Sequence, residues 1–271
     1  MNTFEKFVYW LQGTMETPEV YGWYHIMCLG ILVAICFAVG FISRKASDKT
    51  VRIVLLIITA ILLTFEVIKQ FIMSFEFENG VATWEYNWYY FPFQFCSVPM
   101  YVGFTASLLK ECKVREALYT FLGTYSLFAG VAVMLMPTTV FMEYVAINIH
   151  TMLHHGAMVV IGVMLWTSGR IPFTLKAMLK GVIVFVVLVT TALVMNLIFH
   201  AVKPGVKFNM FYISPYFACE VPVISLFYPN YAIFLPVYYI GFTIVAFIVF
   251  YIVFLIRKFV CKKTATVSYE L

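Results

Sequence analysis

Apolar residues run almost without interruption through seven stretches of the chain: residues 21–42, 53–75, 90–109, 117–136, 149–167, 181–199 and 232–256. A membrane-spanning helix needs about 20 such residues. In lipid only helices and closed barrels satisfy their own backbone hydrogen bonds. The runs are continuous rather than alternating with period two, which excludes a barrel. The pattern therefore predicts an all-α polytopic membrane protein, a seven-transmembrane-helix bundle forming one domain over residues 1–271.

The connections carry the orientation. Alternate loops hold Arg44, Lys45, Lys49 and Arg52, then Lys110, Lys113 and Arg115, then Arg170, Lys176 and Lys180, then Arg257, Lys258, Lys262 and Lys263. The opposite loops hold only Lys6, Lys203 and Lys207, and Lys69 falls inside the second stretch. The positive-inside rule then places the N-terminus outside and the C-terminus in the cytoplasm. Insertion and anionic lipid account for the basic clusters and for the net charge of +5, so no nucleic-acid partner is expected.

Composition narrows the class without changing it. The 271 residues are 63% hydrophobic and 11% charged, against about 25% charged in soluble domains. Soluble enzymes, disordered chains and disulfide scaffolds are excluded. The first twenty residues lack the basic start and cleavage site of a signal peptide. Phe4, Phe7, Val8, Trp10 and Leu11 suit a short interfacial helix instead. Cys219 is the only cysteine in an outer loop, so no disulfide framework is expected. Residues 200–231 hold four prolines and eight Phe or Tyr residues. That many aromatics argues against disorder, and the segment reads as an ordered outer cap.

Polar groups inside spans are costly and are functional candidates by default. Here they share one depth, the outer half of the bundle: His25, Glu66, Lys69, Gln70, Gln94, Cys96, His150, His154, His155, Asn196 and His200. Glu66, Lys69 and Gln70 stand at i, i+3 and i+4 on one helix face, where Glu66 and Lys69 can pair. In the third stretch Pro99 predicts a kink beside Cys96, and a thiol there can serve as a nucleophile only with a basic neighbour. His150 and His154 share a face, while His155 points about 100° away. The i, i+4 pair can bind a metal when further ligands converge. No His-Glu-x-x-His pattern is present and Glu143 lies far back in the loop, so neither metal nor other cofactor is expected. One of His154 and His155 is expected to bond a neighbouring helix and the other to face a pocket as a general base. Their spacing does not choose between them. Gly156 is expected to let another helix approach.

With Phe-Pro-Phe-Gln-Phe-Cys in the third stretch, the chain resembles the YwaF-type family of integral membrane proteins. These bacterial proteins are similar to the eukaryotic acyltransferase transmembrane protein 164. Tyr24-His25, Glu66, His155-Gly156, Asn196 and Asn209-Met210 carry the same resemblance along the chain. It implies a bacterial plasma-membrane location and acyl transfer to or hydrolysis of a membrane phospholipid or lysophospholipid. Cys96 would be the nucleophile and His155, or His154 in its place, the base. His25, Glu66, Lys69, Gln70, Gln94, Asn196 and Asn209 would support the site, the last three as candidate oxyanion donors. Gln94 stands where many relatives carry histidine. The competing expectation is a small-molecule or proton-coupled transporter or receptor with a Glu66, Lys69 and histidine site. A purely structural role would make the polar layer helix glue.

Overall fold

A computed structural model describes residues 1–267, with side chains as far as Phe259. Cys261, Lys262 and Lys263 fall outside the described side chains, and residues 268–271 outside the described chain. Among the described residues, six helical segments are long and apolar enough to cross a membrane. After a short α1 (Thr3–Leu11) come α2 (Trp23–Ile42) and α3 (Asp48–Ile72), and a hairpin of β1 (Phe75–Glu78) and β2 (Val81–Trp84) follows. Next are a short α4 (Val98–Leu108), then α5 (Lys113–Phe121) and α6 (Leu127–Leu135), then α7 (Val145–Thr167), α8 (Leu175–Val202) and α9 (Tyr231–Val267). A π-helical turn, Leu122–Ser126, fuses α5 and α6 into one span.

The helices start where side chains can satisfy their free amides. Ser47 accepts from the Thr50 amide at α3, and Thr174 from that of Ala177 at α8. Both are N-caps that replace missing intrahelical partners. At Gly123 in the π turn the carbonyl accepts the Trp166 indole N–H at 2.6 Å. A Cβ there would lie 2.2 Å from Ile171 Cδ1 and 3.0 Å from the Trp166 indole nitrogen, so a larger residue would displace side chains where the π turn packs against α7. Of the apolar window of α7, 72% is buried, against 6% for α2. Thus α7 is the central helix, and α2 turns most of its surface to lipid.

The third stretch departs from expectation. Only Val98–Leu108 is helical, an element of 11 residues and about 16 Å, too short for a hydrocarbon core of about 30 Å. Pro99 sits in its first turn, where the missing amide costs nothing. It does not kink a longer helix. The chain nevertheless passes from one end of the bundle to the other. Tyr90 O accepts from Gln70 late in α3, whereas Ser107 O and Leu108 O accept from Arg52 early in α3. The first half of this passage, residues 91–97, is irregular backbone. Such backbone is tolerated at membrane depth only when enclosed by protein.

The two ends of the bundle differ in chemistry. At the basic end Asp48 lies between Arg115 (2.9 Å) and Arg170 (3.5 Å), and Arg170 also donates to Ala46 O. At the opposite, cap end, Gln12 donates to Ile72 O and Phe75 O, and Met15 N to Glu143 O. These bonds pin the N-terminal segment across α3 and α7. The β hairpin turns at Asn79 and Gly80, both with positive φ, as a two-residue type I′ turn requires. Residues 203–230 form the rest of the cap. Their Phe208, Met210, Phe211 and Ile213 are buried in the main core. Tyr89 donates to Glu220, which pairs with Lys207. Burial pushes the Tyr89 phenol up to about 12 and Glu220 acts in the same direction, so the phenol stays a donor.

Candidate functional site

The intramembrane polar residues separate into two groups. In the first, α3 presents Glu66, Lys69 and Gln70 on one face. Glu66 Oε1 takes the Lys69 ammonium and the Gln70 amide, each at 2.7 Å. Gln70 is held in turn, donating to Tyr90 O and accepting from the Tyr86 hydroxyl at 2.7 Å. Glu66 Oε2 makes no hydrogen bond. Opposite it, α7 brings His150 and His154, rings 5.3 Å apart, with His150 Nε2 at 3.4 Å from Glu66 Oε2. One ligand atom from each of Glu66, His150 and His154 lies within 4.8 Å of the others, and all three residues are buried. The further ligand that the i, i+4 histidine pair lacks in sequence is Glu66.

The neighbours set the tautomers. His154 Nε2 lies 2.9 Å from the Cys96 carbonyl. A carbonyl only accepts, so Nε2 carries the hydrogen and Nδ1 of the neutral ring keeps a bare lone pair. That Nδ1 is buried and unpartnered, as is His150 Nε2. His155 turns away and donates from Nδ1 to Thr151 O in its own helix at 2.8 Å, and its Nε2 is likewise bare. Gly130 on α6, not Gly156, permits the close approach here. A Cβ at Gly130 would meet His155 O at 2.8 Å, whereas one at Gly156 would touch only Leu32 at an ordinary 3.7 Å.

The second group holds irregular backbone in place. Gln94 donates to Asn209 O and accepts from Phe211 N. Asn196 donates to Met210 O and accepts from Met210 N at 2.7 Å. Asn209 accepts from Ser214 N and donates to Ala218 O. Together these amides clamp the turn in which Phe211 and Tyr212 take positive φ, a backbone strained for residues with side chains. His25 is also satisfied, accepting from Tyr21 N and donating to Met134 O at 2.7 Å. It joins the start of α2 to the end of α6, outside the Glu66 cluster.

This geometry overturns the cysteine–histidine pair. A nucleophile and its base must lie within hydrogen-bond reach, yet α7 meets Cys96 through the backbone carbonyl. Neither His154 nor His155 has a hydrogen bond to the thiol among the described residues. The five described cysteines are all free, and none belongs to the Glu66–His150–His154 cluster. Acyl transfer or acyl hydrolysis with a cysteine nucleophile is therefore not the chemistry this site supports. The sequence pattern makes Glu66, His150 and His154 candidates separately, but His150 has no place in the expected Cys96 site. The i, i+4 spacing of the two histidines was the signal that pointed to His150.

A cavity of about 400 Å³ lies beside the cluster, between α1, α3 and α7, and is lined by Trp10, Phe65, Lys69, Ile147 and His150. A larger apolar groove of about 580 Å³ runs between α2, α3 and α7, past Tyr24, Leu62, Met152 and Gly156. Cys96 lines neither.

Fold and site together define a multi-pass helical membrane protein with a buried carboxylate–histidine cluster at the cap end. The TMEM164 family profile matches residues 20–254, and the chain belongs to that family, which the YwaF-type resemblance anticipates. No curated protein and no solved structure matches the chain.

Proposed function

We propose that this chain is a membrane transporter or receptor whose ligand is a small species held at Glu66, His150 and His154, with Lys69 supporting the carboxylate. One observation carries the reading. The cluster's unpartnered atoms include Glu66 Oε2 and His154 Nδ1, both of which offer lone pairs, and the neighbour of Glu66 Oε2 across the cluster is His150 Nε2 at 3.4 Å. Buried acceptors left unpaired cost about 1–3 kcal/mol each, and they favour a ligand that brings positive charge or hydrogen-bond donors. The 400 Å³ cavity reaches Lys69 and His150 and supplies a route to the cap end. The excess of Lys and Arg at the opposite end supports a cytoplasmic C-terminus and an outward cap. The chain then acts as one membrane unit, with phospholipid bathing its apolar faces as solvent.

Binding and proteoliposome uptake of two small cations, methylammonium and guanidinium, test this reading. Wild-type protein should bind or take up at least one. Glu66→Gln should abolish the effect and Cys96→Ala should leave it intact. Full binding by Glu66→Gln would overturn it, as would a folded wild type that binds neither probe nor a divalent transition-metal cation.

A further inference from the structure

We infer that the Glu66–His150–His154 cluster is a binding site for a divalent transition-metal cation of the zinc type. The inference deepens the ligand-site reading and rests on it. Two imidazole nitrogens and a carboxylate oxygen form the mixed nitrogen–oxygen set that such ions prefer, whereas calcium and magnesium take oxygen ligands almost exclusively. The geometry is close to that of a loaded site. Ligands at about 2.0–2.2 Å from a tetrahedral ion stand roughly 3.3–3.5 Å from one another, and His150 Nε2 is already 3.4 Å from Glu66 Oε2. With all three donors inside 4.8 Å, side-chain rotation closes the remainder.

The groups behind the ligands fit the same reading. Metal-bound histidine usually donates its other N–H to a carbonyl or carboxylate, which fixes the tautomer. His154 does so to Cys96 O. A ligating carboxylate is usually itself hydrogen-bonded. The far oxygen of Glu66 takes Lys69 and Gln70, and Tyr86 steadies Gln70. Three protein ligands leave a fourth position open, as in exchangeable or catalytic sites rather than closed structural ones. The cavity lined by Lys69 and His150 lies beside that position. The Lys69 ammonium weakens the attraction for a dication, which favours an ion that enters and leaves over one held permanently.

The test uses the full chain in lipid nanodiscs, stripped with chelator and titrated with Co²⁺ as a visible-absorbing probe. One Co²⁺ per chain should bind with a d–d spectrum displaced by Zn²⁺. His150→Ala and His154→Ala should each weaken binding by at least about tenfold, while His155→Ala and Cys96→Ala should bind as wild type does. Circular dichroism identifies variants that fold, and should Glu66→Gln fail to fold, the histidine variants decide. Unchanged binding by the His150→Ala/His154→Ala double variant would overturn the inference. So would an intense sulfur-to-cobalt band lost in Cys96→Ala. A folded wild type that binds methylammonium or guanidinium but not Co²⁺ overturns the metal assignment and leaves the ligand site standing. One that binds none of the three probes sinks both.

Discussion

Two sets of polar side chains lie within the membrane-embedded part of this protein, and they differ in one respect. Gln94, Asn196 and Asn209 are saturated, their amide groups committed to backbone of the 209–218 turn. Glu66, His150 and His154 are buried as deeply and leave an oxygen and two nitrogens bare. Asn209 apart, which belongs to the cap, both sets look alike in sequence, as costly polar residues in apolar stretches. The comparison teaches that satisfaction, not polarity, separates a structural clamp from a candidate site.

If the amides are structural, breaking them should cost the most stability. Asn196→Ala leaves the amide and the carbonyl of Met210 unpaired in the core, at about 1–3 kcal/mol each. The thermal unfolding midpoint in nanodiscs should fall well below wild type. Gln94→Ala removes one bond from Phe211 N and one to Asn209 O at a partly buried position, so a smaller drop is expected by the same measurement. His150→Gln loses no hydrogen bond and should change stability by less than about 1 kcal/mol. Its cost should appear in ligand binding instead. Should His150→Gln unfold the protein while Asn196→Ala does not, the distinction between the two sets fails. The smallest effect is expected at the cap surface. Lys207→Ala breaks an exposed pair with Glu220 worth up to about 1 kcal/mol, and that loss should shrink further as salt is raised.

Most of the architecture was legible because it depends on local composition. Six of the seven apolar stretches coincide with long helices. The third does not, because hydropathy counts apolar residues without regard to backbone angles. Residues 90–109 contain Pro92 and Pro99, and the helix begins only at Val98. The hairpin is also written locally, in the alternation of Phe75–Glu78 and the Asn79–Gly80 turn.

The site was legible in halves. Spacing alone placed Glu66, Lys69 and Gln70 on one face of α3, and His150 with His154 on one face of α7, with His155 turned aside. Pairing Cys96 with a histidine assumed that equal depth means contact. Depth is one coordinate, and rotation about the helix axis is another. Residues 91–97 have no helical face from which the direction of the Cys96 side chain can be read.

The sequence by itself determined that this is a multi-pass helical membrane protein, where most of its helices lie, and which polar side chains share a helix face. Those properties follow from transfer energies and from the 100° step between residues. Only the tertiary structure decided that the face of Glu66 meets that of His150 and His154, that Cys96 offers α7 a carbonyl instead of a thiol, and which buried atoms remain unpaired. A hydrogen bond belongs to two groups, and here the partners stand 58 residues apart for His154 and Cys96 and 14 for Asn196 and Met210. Periodicity describes the groups one element at a time and carries no information about which of them meet.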